Sequence, residues 1–282
     1  MVNLSAFNLL IWCLQHMEWS FVLAGLFVGI MVGMTGVGGG SLMTPILIFG
    51  FAIQPAVAVG TDLLFAAITK AGGVWAYMKH GVINWQVVLR LAYGSVPATL
   101  LTLVALHYVG VSDETSGEII TIALGIALIL TSSALLLKDF IAGLLRAREG
   151  HPFVTALYYL REENKHKVRA TVLVGAFLGV MVTMSSVGAG ALGAVTLLFL
   201  YPRLKGSEVV ATDIAHAVPL TAIAGIGHST VGTVDWSLLS LLLLGSLPGI
   251  YIGSHLGVKI PEHVMRPLLA IILLGVGVKC LL

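Results

Sequence analysis

Charge is what this chain has least of. Asp, Glu, Lys and Arg together make up only 10% of its 282 residues, against roughly 25% in a soluble domain. A surface this poor in charge excludes an ordinary water-bathed enzyme or binding domain. Cysteine is almost missing. Cys13 and Cys280 lie at opposite ends, which gives no sign of a disulfide framework or a thiolate metal centre. The histidines include no His-x-x-x-His pair, and His80, His228 and His255 show no ligand-like spacing. No nucleophile is set beside a base. The expectation is therefore a chain that is not an enzyme, with no cofactor, no metal and no nucleic-acid partner. Lys and Arg are also missing from Met1–His16, so the n-region of a cleavable signal peptide is expected to be lacking. Segment 1–18 is expected to lie at a membrane interface or to begin the first membrane segment.

What remains is oil. The chain is 58% hydrophobic with a mean hydropathy of +1.01, and long apolar runs recur at Gln86–Leu106, Ile119–Leu137, Leu238–Ile252 and Leu268–Leu282. Each is close to the ~20 residues that cross a hydrocarbon core as a helix. None alternates with the dyad period of an outer-membrane barrel strand. The fold class is an all-α polytopic membrane protein.

The chain is also written twice. At a shift of 150 residues GIMVGMTGVGGGSL (Gly29–Leu42) lies over GVMVTMSSVGAGAL (Gly179–Leu192). At a shift of 151, VGTDLLFA (Val59–Ala66) lies over VATDIAHA (Val210–Ala217), HGVINW over VGTVDW, and YGSVP over LGSLP. Chance similarity between greasy helices matches Leu with Val. It does not keep Thr-Asp, Trp and Gly-Ser-x-Pro in one register.

Each copy predicts a segment running into a glycine break (about 20–35 and 169–184) and a short apolar piece (about 40–51 and 190–201). Three full helices follow, at about 57–79, 85–107 and 117–137, then at 208–230, 236–257 and 264–281. The domains read as an N-terminal interfacial segment 1–18, repeat 1 at 19–137, a basic cytoplasmic linker 138–168 and repeat 2 at 169–282.

Lys and Arg mark cytoplasmic loops. The linker and its edge carry Lys138, Arg146, Arg148, Arg161, Lys165, Lys167 and Arg169, whereas 107–118 carries Asp113, Glu114 and Glu118 and no Lys or Arg. Counting outward from the linker puts corresponding loops of the two copies on opposite sides. The expected architecture is two inverted-topology repeats, each a broken or re-entrant helix pair plus three transmembrane helices, with both termini external. Secondary transporters share this plan.

Irregular backbone survives in a bilayer only where protein buries it or a wet cavity lines it. Gly36, Gly38, Gly39 and Gly40 are thus expected to unwind a helix and open its free N–H groups toward an anion. Ser185, Ser186, Gly188 and Gly190 repeat the device in the second copy. Close helix packing is the plainer reading of such glycines.

Asp62, Lys70, Asp213 and His216 fall inside predicted spans, where charge is costly and marks function. Asp62 and Asp213 are candidates for proton coupling, as is His216, though helix capping by the aspartates or a structural histidine explains them equally. Lys70, which has Thr221 as its counterpart, is a candidate counter-charge. Thr61 and Thr212, next to the aspartates, are expected to bind the substrate beside the glycine donors. Trp85 and Trp236 begin helices as interfacial anchors, and Pro97 and Pro248 are expected to bend theirs.

GMTGVGGGSLMTPIL, AVGTDLLFAAITKAGG and HGVINWQVVLRLAYGSVPATL resemble the TauE/SafE sulfite exporter family, also called the toluene sulfonate uptake permease family. SSVGAGAL, VVATDIAHAVPLTAIAG, GTVDW and LGSLPG are similar to its second half. Many members carry Thr-Ser where this chain has Thr61-Asp62 and Thr212-Asp213. The resemblance implies movement of sulfite, a sulfonate or a related organosulfur anion across the cytoplasmic membrane, driven by an ion gradient. Such an anion offers three oxygens to N–H donors. The expected partners are a small anionic substrate and the lipid bilayer, with a homodimer left open. A passive anion channel, or a carrier of another small organic anion, is the alternative.

Overall fold

The computed structural model describes residues 4–35, 40–79, 81–109, 114–147, 165–257 and 262–282. Among these the chain is helical and contains no strand. In order come α1 (Leu4–Thr35), α2 (Gly40–Pro45) running into a π-turn (Ile46–Gly50), α3 (Pro55–Lys79), α4 (Trp85–Val109) and α5 (Glu114–Ala147). Then follow α6 (Lys165–Ser185), α7 (Ala191–Leu200), α8 (Gly206–Thr230), α9 (Trp236–Gly257) and α10 (Glu262–Leu281).

Six of these helices are long and apolar enough to cross a membrane: α3, α4, α6, α8, and the stretches Gly117–Leu137 of α5 and Trp236–Gly253 of α9. The sequence pattern starts the first segment near residue 20, but α1 begins at Leu4. It ends the third helix at 137, but α5 runs on to Ala147. Residues 138–147 contain no proline, and Lys, Arg and Leu are good helix formers, so the basic linker opens as helix. Pro97 and Pro248 lie inside continuous helices.

The centre is α3 packed on α8. The apolar windows of these two are 61% and 67% buried, against 33–44% for the other four spans. Around them the two halves exchange partners. α1 packs along α9 and α6 along α4; α9 touches α3 and α4 touches α8; α5 packs on α10.

The reciprocity extends to single residues. A methyl group at Gly29 would lie 2.5 Å from the Ser246 carbonyl oxygen, and one at Gly179 would lie 2.5 Å from that of Ser95. Only glycine lets these backbones approach so closely. Leu23 and Phe27 of α1, like Leu173 and Phe177 of α6, stay exposed on the outer surface. For a multi-pass membrane protein that surface is the lipid face.

The starts of α4 and α9 show the same exchange. Asn84 Oδ1 accepts the Val87 N–H at 3.2 Å, and Asp235 Oδ1 accepts the Leu238 N–H at 2.9 Å. Both are N-caps. Their own N–H groups cross to the other half. Asn84 donates to Thr212 Oγ1 and Asp235 donates to Thr61 Oγ1, each at 3.1 Å.

Candidate functional site

The interruption in the second half is fully described. α6 ends at Ser185 and α7 begins at Ala191. Between them Ser186 has φ 57°, Gly188 φ 114° and Gly190 φ 141°. These are left-handed conformations that side chains resist. Ser185 stabilises the end of α6: its hydroxyl donates to Met181 O at 2.6 Å and accepts the Val187 N–H at 3.2 Å. Gly193 and Ala194 N–H reach back to Gly188 O at 3.2 Å and Gly190 O at 3.3 Å. The amides just ahead of them have no intrahelical acceptor. In the first half α1 ends at Thr35 and α2 begins at Gly40. Gly36, Gly38 and Gly39 lie outside the described residues.

The Thr-Asp pairs divide their work. Thr61 and Thr212 accept the N–H groups that open α9 and α4. The aspartates next to them turn elsewhere. Asp62 is fully buried, and its Oδ2 accepts the Thr44 hydroxyl of α2 at 2.5 Å. Its other oxygen, Oδ1, has no hydrogen-bond partner. The Ser186 hydroxyl lies beside this carboxyl without a formed hydrogen bond. Asp213 of α8 sits so close to Gly193 in the first turn of α7 that a methyl group there would overlap its Oδ1. Thr44 has Ala194 as its counterpart at the 150-residue shift, so the second half cannot reproduce the Thr–Asp bond.

Lys70 crosses between halves. It is 5% exposed on α3, and its Nζ donates to the Ala189 carbonyl inside the α6–α7 interruption at 2.6 Å. Asp62, Asp213 and His216 all lie within electrostatic reach of it. His216 of α8 bonds through Nε2 to Ser95 Oγ of α4 at 2.9 Å, while its Nδ1 is buried without a hydrogen-bond partner. His228 is different. Nδ1 meets Thr233 Oγ1 at 2.9 Å and Nε2 meets Thr183 O at 3.0 Å, so both ring nitrogens are engaged in holding α8 against α6 and the turn that follows α8.

Of the residues singled out from sequence, the fold therefore gathers Asp62, Lys70, Ser186, Asp213 and His216 around the second interruption. It places Thr61 and Thr212 at the helix starts. Three participants escaped the sequence reading: Thr44, Ser95 and the Ala189 carbonyl. Ser95 stands in the Gly-Ser-x-Pro signature, whose recurrence at 244–248 was the available signal. Thr44 lies in the glycine-rich motif itself. Ala189 lies between Gly188 and Gly190 of the second glycine motif, but no side chain marks its carbonyl as an acceptor.

A cavity of about 460 Å³ lies away from this cluster, between α1, α2 with its π-turn, and α10. Its wall is almost wholly apolar, with Phe27, Met31, Leu42 and Leu273 among the lining side chains and Lys279 at one end. None of the clustered charges lines it.

These features define a class: a polytopic helical membrane protein with an interrupted helix and a sealed charged cluster at its heart. The sulfite exporter TauE/SafE family profile matches residues 21–280, and the chain belongs to that family. It is 39% identical over 263 residues to the "Probable membrane transporter protein YjnA" of Bacillus subtilis, covering 93% of this chain and 99% of that one. Two further proteins of the same organism, "Probable membrane transporter protein YunE" and "Probable membrane transporter protein YdhB", are 26% and 25% identical, covering 89% and 87% of this chain and 91% and 92% of their own lengths. No solved structure matches. The chain is a multi-pass membrane protein of a transporter family.

Proposed function

We propose that this protein is a secondary transporter of a small sulfur-containing anion, such as sulfite or a sulfonate, in the cytoplasmic membrane. The observation that carries the reading is the buried α6–α7 interruption with Ser186, Asp62 and Lys70 gathered at it. Left-handed glycines and uncapped amides suit an oxyanion. Gly188, Gly190, Ser185 and Ser186 supply that seat from one half, and Gly36, Gly38, Gly39 and Gly40 from the other. Lys70 offsets the charge of the guest. Thr61 and Thr212 hold the neighbouring aspartates in register.

Buried carboxylates beside an anion seat oppose it unless they take up protons. Asp62, Asp213 and His216 are the groups proposed to do so, which links anion movement to a proton gradient. The reciprocal seams support two matching halves; the Lys and Arg placement reads these as inverted repeats with both termini external, which would rock against one another to alternate access.

The test is isotope-labelled sulfite flux in proteoliposomes. Saturable uptake that responds to an imposed pH gradient is expected, and Gly188→Val should abolish it while the protein still purifies as a folded monodisperse species. Asp62→Asn should remove the response to the pH gradient. Unsaturable ohmic conductance would make the protein a channel instead.

A further inference from the structure

The Ala189 carbonyl is an unusual acceptor. It stands between Gly188 and Gly190, both left-handed, in a stretch that belongs to no helix. In discontinuous membrane helices such unwound carbonyls are where coupling cations bind. Oxygens of the kind a small hard cation takes occur around this point: the Ala189 carbonyl itself, the Asp62 carboxylate, which lies within electrostatic reach of Lys70 and has an unpartnered Oδ1, and the unpartnered Ser186 hydroxyl beside that carboxyl. Hard cations choose oxygen ligands of these kinds. Yet the place is taken. The Lys70 ammonium reaches Ala189 O at 2.6 Å from the other half of the chain.

Among the described residues the other half carries no equivalent lysine. Thr221 occupies the position that matches Lys70, and its hydroxyl donates back into its own helix, to Ala217 O at 2.9 Å. Lys70 therefore has no counterpart at the matching position, and it bridges α3 to the interruption between α6 and α7.

We propose that Lys70 is a tethered cation that fills a sodium site in the α6–α7 interruption, so that wild-type protein has no use for sodium and loss of the ammonium opens the site to it. This deepens the transporter reading and rests on it only for the consequence that flux needs no sodium. The Lys70 side chain thereby bridges α3 to the interruption beside the proposed anion seat.

The experiment reads thermal unfolding of the full chain in detergent, in sodium chloride and in choline chloride of equal ionic strength. Wild type should unfold at the same temperature in both salts. Lys70→Thr, which installs the residue of the other half, should unfold earlier in choline and regain about 3 °C or more in sodium. Lys70→Arg keeps a cation and should be indifferent to the salt. Sodium-specific stabilisation of wild type overturns the proposal, and so does a Lys70→Thr protein that ignores sodium. If Lys70→Thr fails to fold in either salt, Lys70→Gln is read by the same two outcomes. No substrate enters this measurement, so a failure of the sulfite reading in flux and a failure of the tethered cation are separate results.

Discussion

Ser95 and His216 meet across the two halves, with Oγ 2.9 Å from Nε2 and 121 residues of chain between them. Both are buried. Their counterparts at the 151-residue shift are Ser246 and Phe65, which cannot form such a bond. The middle of α4 is thus tied to the charged centre on one side of the molecule only.

Removing that hydroxyl strands a buried ring nitrogen. Ser95→Ala should cost about 1–3 kcal/mol, read as a lower unfolding temperature in detergent. His216→Phe copies the residue in the other half. In a double-mutant cycle the pair should lose less than the sum of the two single changes. Additive losses would show that the contact carries no energy.

The Thr44–Asp62 bond makes a second prediction. Thr44→Val keeps the shape of the side chain and deletes the donor, which leaves a fully buried carboxyl without the Thr44 hydroxyl on its Oδ2. The expected cost is about 1–3 kcal/mol. Thr44→Ser keeps the hydroxyl and should retain most of the stability. Equal melting of the two variants would contradict the bond.

The cross-half seams are tested by methyl groups. Gly29→Ala and Gly179→Ala each drive a carbon against a backbone carbonyl that no rotamer change relieves. Each should lose about 1–3 kcal/mol, and the two losses should be similar. Gly72→Ala is the control. A methyl group there meets nothing within 4 Å, so it should not destabilise and should gain up to about 1 kcal/mol of helix propensity.

The helix starts give a paired prediction. Asn84→Ala and Asp235→Ala each delete an N-cap oxygen and should each cost about 1 kcal/mol. Asp235→Asn keeps an acceptor at the same atom and should recover most of the loss. Thermal unfolding of the three variants decides it.

Much of this architecture is legible in the sequence. Trp85 and Trp236 open α4 and α9 where the pattern puts them, because an apolar run bounded by an interfacial aromatic has little freedom in a bilayer. The interruption after Ser185 is legible because glycine at left-handed angles is the cheapest way to unwind a buried helix. The limits of α1 and α5 are not. Hydropathy locates the lipid-crossing part of a helix and is silent on how far the helix projects beyond it.

The site is half legible. Asp62, Lys70, Asp213 and His216 announce themselves as charges in oil. Their partners do not, because Lys70 to Ala189 and Ser95 to His216 are contacts between helices far apart in the chain. No periodicity encodes which distant carbonyl a lysine will reach. The π-turn at Ile46–Gly50 is equally hidden, since its residues read as any short apolar helix.

The seams that join α1 to α9 and α6 to α4 also bear on biogenesis. When α1 enters the membrane, the strip that covers it has not been synthesised, for the Ser246 carbonyl that receives Gly29 comes more than two hundred residues later. Neither half is a finished module. The newly inserted first five helices must wait in lipid with an exposed glycine groove until the last three arrive, and separately expressed halves should survive only when made together.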